Sequence, residues 1–119
     1  MTKNYEQIRA KNALAAANDK AGFAGVKDGK AVAKKVPAQI IQNGFLGALA
    51  FAIETGHGYE TVFKAIIAHL QSIGRVNGVR TGDLTQFMED VCKKDADYLR
   101  SITDESLAYL NYLRRFAVS

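Results

Sequence analysis

Apolar residues recur along most of this chain at the three- and four-residue spacing of a helix face, and no stretch shows the alternation of a strand. The clearest stripe is Tyr59, Val62, Phe63, Ile66, Ile67, Leu70 and Ile73, which predicts an amphipathic helix. A second stripe, Ile40, Ile41, Phe45, Leu49 and Ile53, predicts a central helix from about Lys34 or Pro37 to Glu54. Pro37 fits the first turn of that helix, where its missing N–H has no intrahelical partner anyway. Gly44 and Gly47 fall inside it, each costing about 1 kcal/mol relative to alanine in an exposed helix. Close approach of a crossing helix is the compensation expected for both.

Polar residues mark where these helices start and stop. Asn4 with Gln7 three positions later reads as a capping box, opening an alanine-rich helix that runs to about Lys20. Gly22, Gly25 and Gly29 then leave a loop or frayed continuation whose lysines face water. Gly56-His57-Gly58 ends the central helix as a C-terminal glycine cap. Gly74, Gly78 and Gly82 enclose another loop, and Asp83 with Gln86 caps a short helix carrying Leu84, Phe87, Met88 and Val91 that stops near Lys94. The last helix spans Asp95 to Ala117, with Leu99, Ile102, Tyr109, Leu110, Leu113 and Phe116 inward and a possible restart at Thr103-Asp104-Glu105. The fold predicted is all-α: a single-domain bundle of about five or six helices over residues 1–119.

Composition narrows the class. A chain of 119 residues with 48% hydrophobic positions buries enough surface to fold alone. Its lone cysteine, Cys92, cannot form an internal disulfide, and neither a signal peptide nor a run of about 18 apolar residues is seen. A cytoplasmic protein that does not enter a membrane is expected. The net charge of +4 is uneven: residues 1–35 carry eight Lys or Arg against three Asp or Glu, so the basic excess is local to the first third. Such a footprint suits a polyanion partner.

Candidate chemistry is sparse. His57 and His69 stand in no metal-ligand spacing, His57 being read in a capping turn and His69 on a helix flank. Cys92 reads as a packed or half-packed thiol. Glu89 and Asp90 lie four residues before Lys93 and Lys94, which predicts helix-face ion pairs in place of paired catalytic carboxylates. The glycine-rich stretch from Gly74 to Gly82 has two arginines but lacks the Gly-Lys-Ser/Thr ending of a nucleotide loop, so it is read as a connection that touches a phosphate backbone. The same connection is too long for a helix-turn-helix reader, and aromatics do not alternate with basic residues as on a single-strand stacking platform. No catalytic residue, metal site or cofactor is predicted.

The order Lys34-Lys35, Pro37, Ile40-Ile41, Asn43-Gly44, Leu49-Ala50-Phe51 resembles the small helical subunit family of the Cmr (type III-B) CRISPR RNA-silencing complex, the fifth protein of that series. Arg9-Ala10 with Ala13 resembles the family's first helix, and Ser106 to Ala117 its closing helix. The resemblance implies a non-catalytic subunit that stacks on copies of itself beside a repeated backbone subunit, with crRNA and target RNA held nearby and cleavage left to another subunit. Within that reading Arg9, Lys27, Lys30, Lys34 and Lys35 are the expected RNA-facing residues, with Arg114 and Arg115 as a second set. The alternatives are a helical adaptor that binds protein alone, and a small nuclease for which no His-carboxylate or divalent site can be assembled.

Overall fold

Asn4 opens the first helix as its spacing predicts. Its side chain accepts from the Gln7 N–H at 2.9 Å, and the Gln7 side chain accepts in return from the Asn4 N–H at 3.2 Å. The computed structural model describes residues 4–19, 27–77 and 82–117. Among them the elements are α1 (Tyr5–Asn18), α2 (Gly29–Asn43), α3 (Phe45–Thr55), α4 (His57–Ser72), α5 (Leu84–Cys92) and α6 (Ala96–Phe116), with no strand. The Asp83 and Asp95 carboxylates cap α5 and α6, each accepting a backbone N–H at 2.9 Å. α6 runs unbroken through Thr103-Asp104-Glu105, so no restart occurs there. Gly22, Gly25 and Gly78 lie outside the described residues.

The helix predicted over 34–54 is two helices. Gly44 stands between α2 and α3 at φ +83° and ψ 161°, a conformation open essentially to glycine alone. Nothing among the described residues lies within 4 Å of a side-chain carbon built there, so Gly44 is a hinge and not the contact point of a crossing helix. Gly47 is likewise exposed, and a side-chain carbon built there would meet the Asn43 side chain of the preceding turn and, among the described residues, no crossing helix. Pro37 also differs from expectation. α2 begins at Gly29, which leaves Pro37 inside the helix, where the Ala33 carbonyl loses its i+4 donor.

The true centre is α4, which packs against each of the other five helices. Its buried Val62, Phe63, Ile66, Ile67 and Leu70 reproduce the predicted stripe. Phe63 meets Phe45 of α3 edge-on at 5.7 Å, and Phe45 meets Phe87 of α5 at 6.0 Å, so one aromatic column joins three helices. α4 ends at Gly74, φ +76°, with Arg75 N–H donating to the Leu70 carbonyl and Gly74 N–H to that of Gln71. That is the paired bonding of a glycine C-cap. α1 lies along α6 and also touches α4.

Candidate nucleic-acid interface

The register of α2 decides where its lysines go. Gly29, Ala33, Val36 and Ile40 recur at four- and three-residue steps and are buried against α3, α4 and α6. Lys30, Lys34 and Lys35 are therefore turned outward, and Lys27 is exposed in the turn just before. Lys30 and Lys34 stand one turn apart, about 6 Å along the axis. The first turn of α2 contains no acidic residue. Four lysines thus gather on the exposed side of the first half of α2 and the turn before it, with the N-cap Asp28 as the one carboxylate among them.

The arginines go elsewhere. Arg114 and Arg115 occupy the last turn of α6, a position that favours cations on dipole grounds, and Arg114 donates to the Asn111 side chain at 3.3 Å. Arg9 is engaged inside the fold. Its Nε donates to Oε2 of Glu105 at 2.8 Å and a terminal nitrogen donates to Oε1 at 2.7 Å, and its guanidinium also lies 5.7 Å from the Tyr5 ring centroid. Of the expected RNA-facing residues, four share one surface, two share the end of another helix, and Arg9 is committed to a buried carboxylate.

Glu105 is the hub of a polar cluster that ties α1, α4 and α6 together. His69 Nε2 donates to Oε2 of Glu105 at 2.8 Å, and Asn12 Nδ2 donates to His69 Nδ1 at 2.9 Å and to Ser72 Oγ at 2.8 Å. An amide nitrogen only donates, so Nδ1 accepts and the ring proton sits on Nε2. His69 is stacked on Tyr109 at 4.4 Å and is 2% exposed, which corrects its reading as a flank residue. Burial lowers the His69 pKa despite the neighbouring Glu105. For Glu105, burial pushes the pKa up, but hydrogen bonds from Arg9 and His69 outweigh it and hold the carboxyl below its usual range.

Ser72, His69 and Glu105 are the residue types of a nucleophilic triad, yet the geometry is that of a brace. The Ser72 hydroxyl donates to the His69 backbone carbonyl at 2.7 Å, and the ring nitrogen that a nucleophile would need is occupied by Asn12. Sequence reading missed this cluster. Its signal was there: His69 falls in register with Ile66 and Ile73, and Glu105 with Ile102 and Tyr109, so each puts a titratable group on a core face. Cys92, read as a packed or half-packed thiol, is exposed at the end of α5. Among i, i+4 pairs, Glu60 and Lys64 bond at 2.8 Å, whereas Lys94 lies over the Tyr98 ring.

Among the described residues no three His, Cys, Asp or Glu come together to hold a metal, and no helix is long and apolar enough to cross a membrane. Comparison with known families adds identity to this geometry. The family model described as CRISPR-associated protein (Cas_Cmr5) matches residues 5–119, so it covers both the lysine-bearing α2 and the braced helices α1, α4 and α6. No curated protein and no solved structure matches the chain. With nearly its whole length matched, the chain belongs to the Cas_Cmr5 family and is a small subunit of the type III-B Cmr CRISPR complex.

Proposed function

We infer that this subunit is a non-catalytic, cytoplasmic component of the Cmr ribonucleoprotein that stacks along the complex and helps hold crRNA and target RNA. The observation that carries this reading is the cluster of exposed Lys27, Lys30, Lys34 and Lys35 along the first half of α2 and the turn before it, in which Asp28 is the one carboxylate. It offers sequence-independent attraction to phosphates, leaving sequence selection to base pairing with the guide. Arg114 and Arg115 form a second cationic patch. Four phosphate contacts to a single strand imply a log–log salt slope near −2.8, hence an affinity falling about fiftyfold between 50 and 200 mM salt. Retention of RNA by the assembled complex at several salt concentrations tests this, and a purified subunit that cleaves RNA would contradict the non-catalytic part.

Stacking is supported by α3. Its exposed residues are Gly47, Ala50, Phe51 and Ile53 with Glu54 among them, and Ile41 of α2 is 73% exposed. A largely apolar face of this kind on a helix suits a protein partner, here copies of the same chain or the repeated backbone subunit. The same face is the observation that favours the second reading, an adaptor that touches protein without touching RNA. Association with the complex that persists unchanged at high salt, together with RNA retention indifferent to the α2 lysines, would establish the adaptor.

A further inference from the structure

Away from the α2 lysines, the turn after α4, the end of α5 and the start of α6 enclose a recess of about 360 Å³, a size that suits a small ligand. Arg75, Asn77, Asp90, Lys93, Lys94 and Tyr98 line it. The chain reverses tightly there. Lys93 N–H donates to the Asp90 carbonyl at 3.2 Å and Lys94 N–H to that of Val91 at 3.0 Å, after which Asp95 caps α6. The turn leaves both lysines exposed at the mouth.

The aromatic wall is fixed in place. Tyr98 donates its hydroxyl proton to the Arg75 carbonyl at 3.0 Å, and the Lys94 ammonium lies 5.6 Å from the ring centroid. The Arg75 guanidinium is turned toward Ser101 and the Tyr5 ring, so the lysines are the cations that meet an incoming anion. Half-buried Asp90 sets an acceptor among these donors. A trap for a bare anion gains nothing from a carboxylate, whereas a ligand carrying both a phosphate and a hydroxyl satisfies the two kinds of group at once.

We propose that this recess holds one ribonucleotide of an RNA strand, with its phosphate on Lys93 and Lys94, its base against Tyr98 and its ribose 2′-hydroxyl donating to Asp90. The site rests on the RNA-holding reading but lies apart from α2, and it distinguishes RNA from DNA where the α2 lysines do not. The glycine-rich stretch after α4 thus contributes to a phosphate-binding recess through Arg75 and Asn77, which shape its wall.

Photo-crosslinking of 4-thiouridine RNA in the reconstituted complex, with the modified residue located by mass spectrometry, tests the proposal. A crosslink within residues 93–98 is expected. Lys93→Glu with Lys94→Glu should abolish it and make the salt slope of RNA retention shallower by about 1.4. Asp90→Ala should shrink the preference for RNA over DNA of the same sequence. Crosslinks confined to α2, with retention unchanged in the double variant, would overturn this site and leave the RNA-holding reading intact. Crosslinks to no part of the subunit would overturn both, and an acidic peptide that protects Lys93 and Lys94 from acylation better than RNA does would assign the recess to protein.

Discussion

Gly44 shows how one residue type carries two opposite messages. A glycine in an apolar helical run signals either a close neighbour or a backbone that only glycine adopts, and the sequence pattern is the same for both. The structure assigns the second, so Gly44→Ala and Gly44→Leu should destabilise alike, by about 1 to 3 kcal/mol, because any side chain meets the same backbone strain at φ +83°. Urea midpoints of the two variants check this; an alanine variant as stable as the parent would restore the packing explanation. The buried brace makes a separate prediction. Folded His69 holds a proton less tightly than the free ring, whose pKa is 6.5, so the unfolded chain binds more protons and stability falls as pH drops below that value. Glu105 acts in the same direction at lower pH: its stabilisation is present above the ordinary 4.5 and is lost as pH falls through its depressed folded value. His69→Gln should therefore flatten the stability profile on the acid side of neutrality while leaving the steeper loss at lower pH. Glu105→Gln should cost about 3 kcal/mol by leaving the Arg9 charge uncompensated, measured by thermal or urea unfolding.

At the scale of the helix, local signals were read well and distant ones were not. The caps at Asn4 and Asp83 depend on groups three residues apart, and the α4 stripe on groups within two turns, so both are visible in a linear sequence. The brace joins Arg9 to Glu105 across 96 positions and His69 to Glu105 across 36, distances at which no local pattern operates. Five cationic residues near the chain start therefore looked equivalent, although one of them answers a carboxylate on α6 that only the fold brings near. α2 illustrates the same limit. Its start at Gly29 is set by burial of Gly29 and Ala33 against neighbouring helices, which moved Pro37 from the first turn to the interior. Pro37→Ala restores the donor to the Ala33 carbonyl, and an increase in stability of about 1 to 3 kcal/mol is expected in denaturant titrations. A decrease would mean that the proline ring's own packing outweighs the missing bond.

Across the whole molecule, α4 organises the bundle and the α1–α4–α6 brace fixes its polar interior, while the exposed apolar residues of α3 and the α2 lysines lie outside both. The division separates folding from function in a useful way. Lys30, Lys34 and Lys35 are exposed and lie off the core, so changing them should alter stability little. Their joint replacement by glutamate, in subunits assembled into the Cmr complex, is the most direct test of the RNA-holding claim. The account predicts normal helicity by circular dichroism, normal incorporation into the complex, and target-RNA retention that is both weaker and less dependent on salt, the slope becoming shallower by about 2 for three lost contacts. Retention with an unchanged affinity and salt slope in that variant would contradict it.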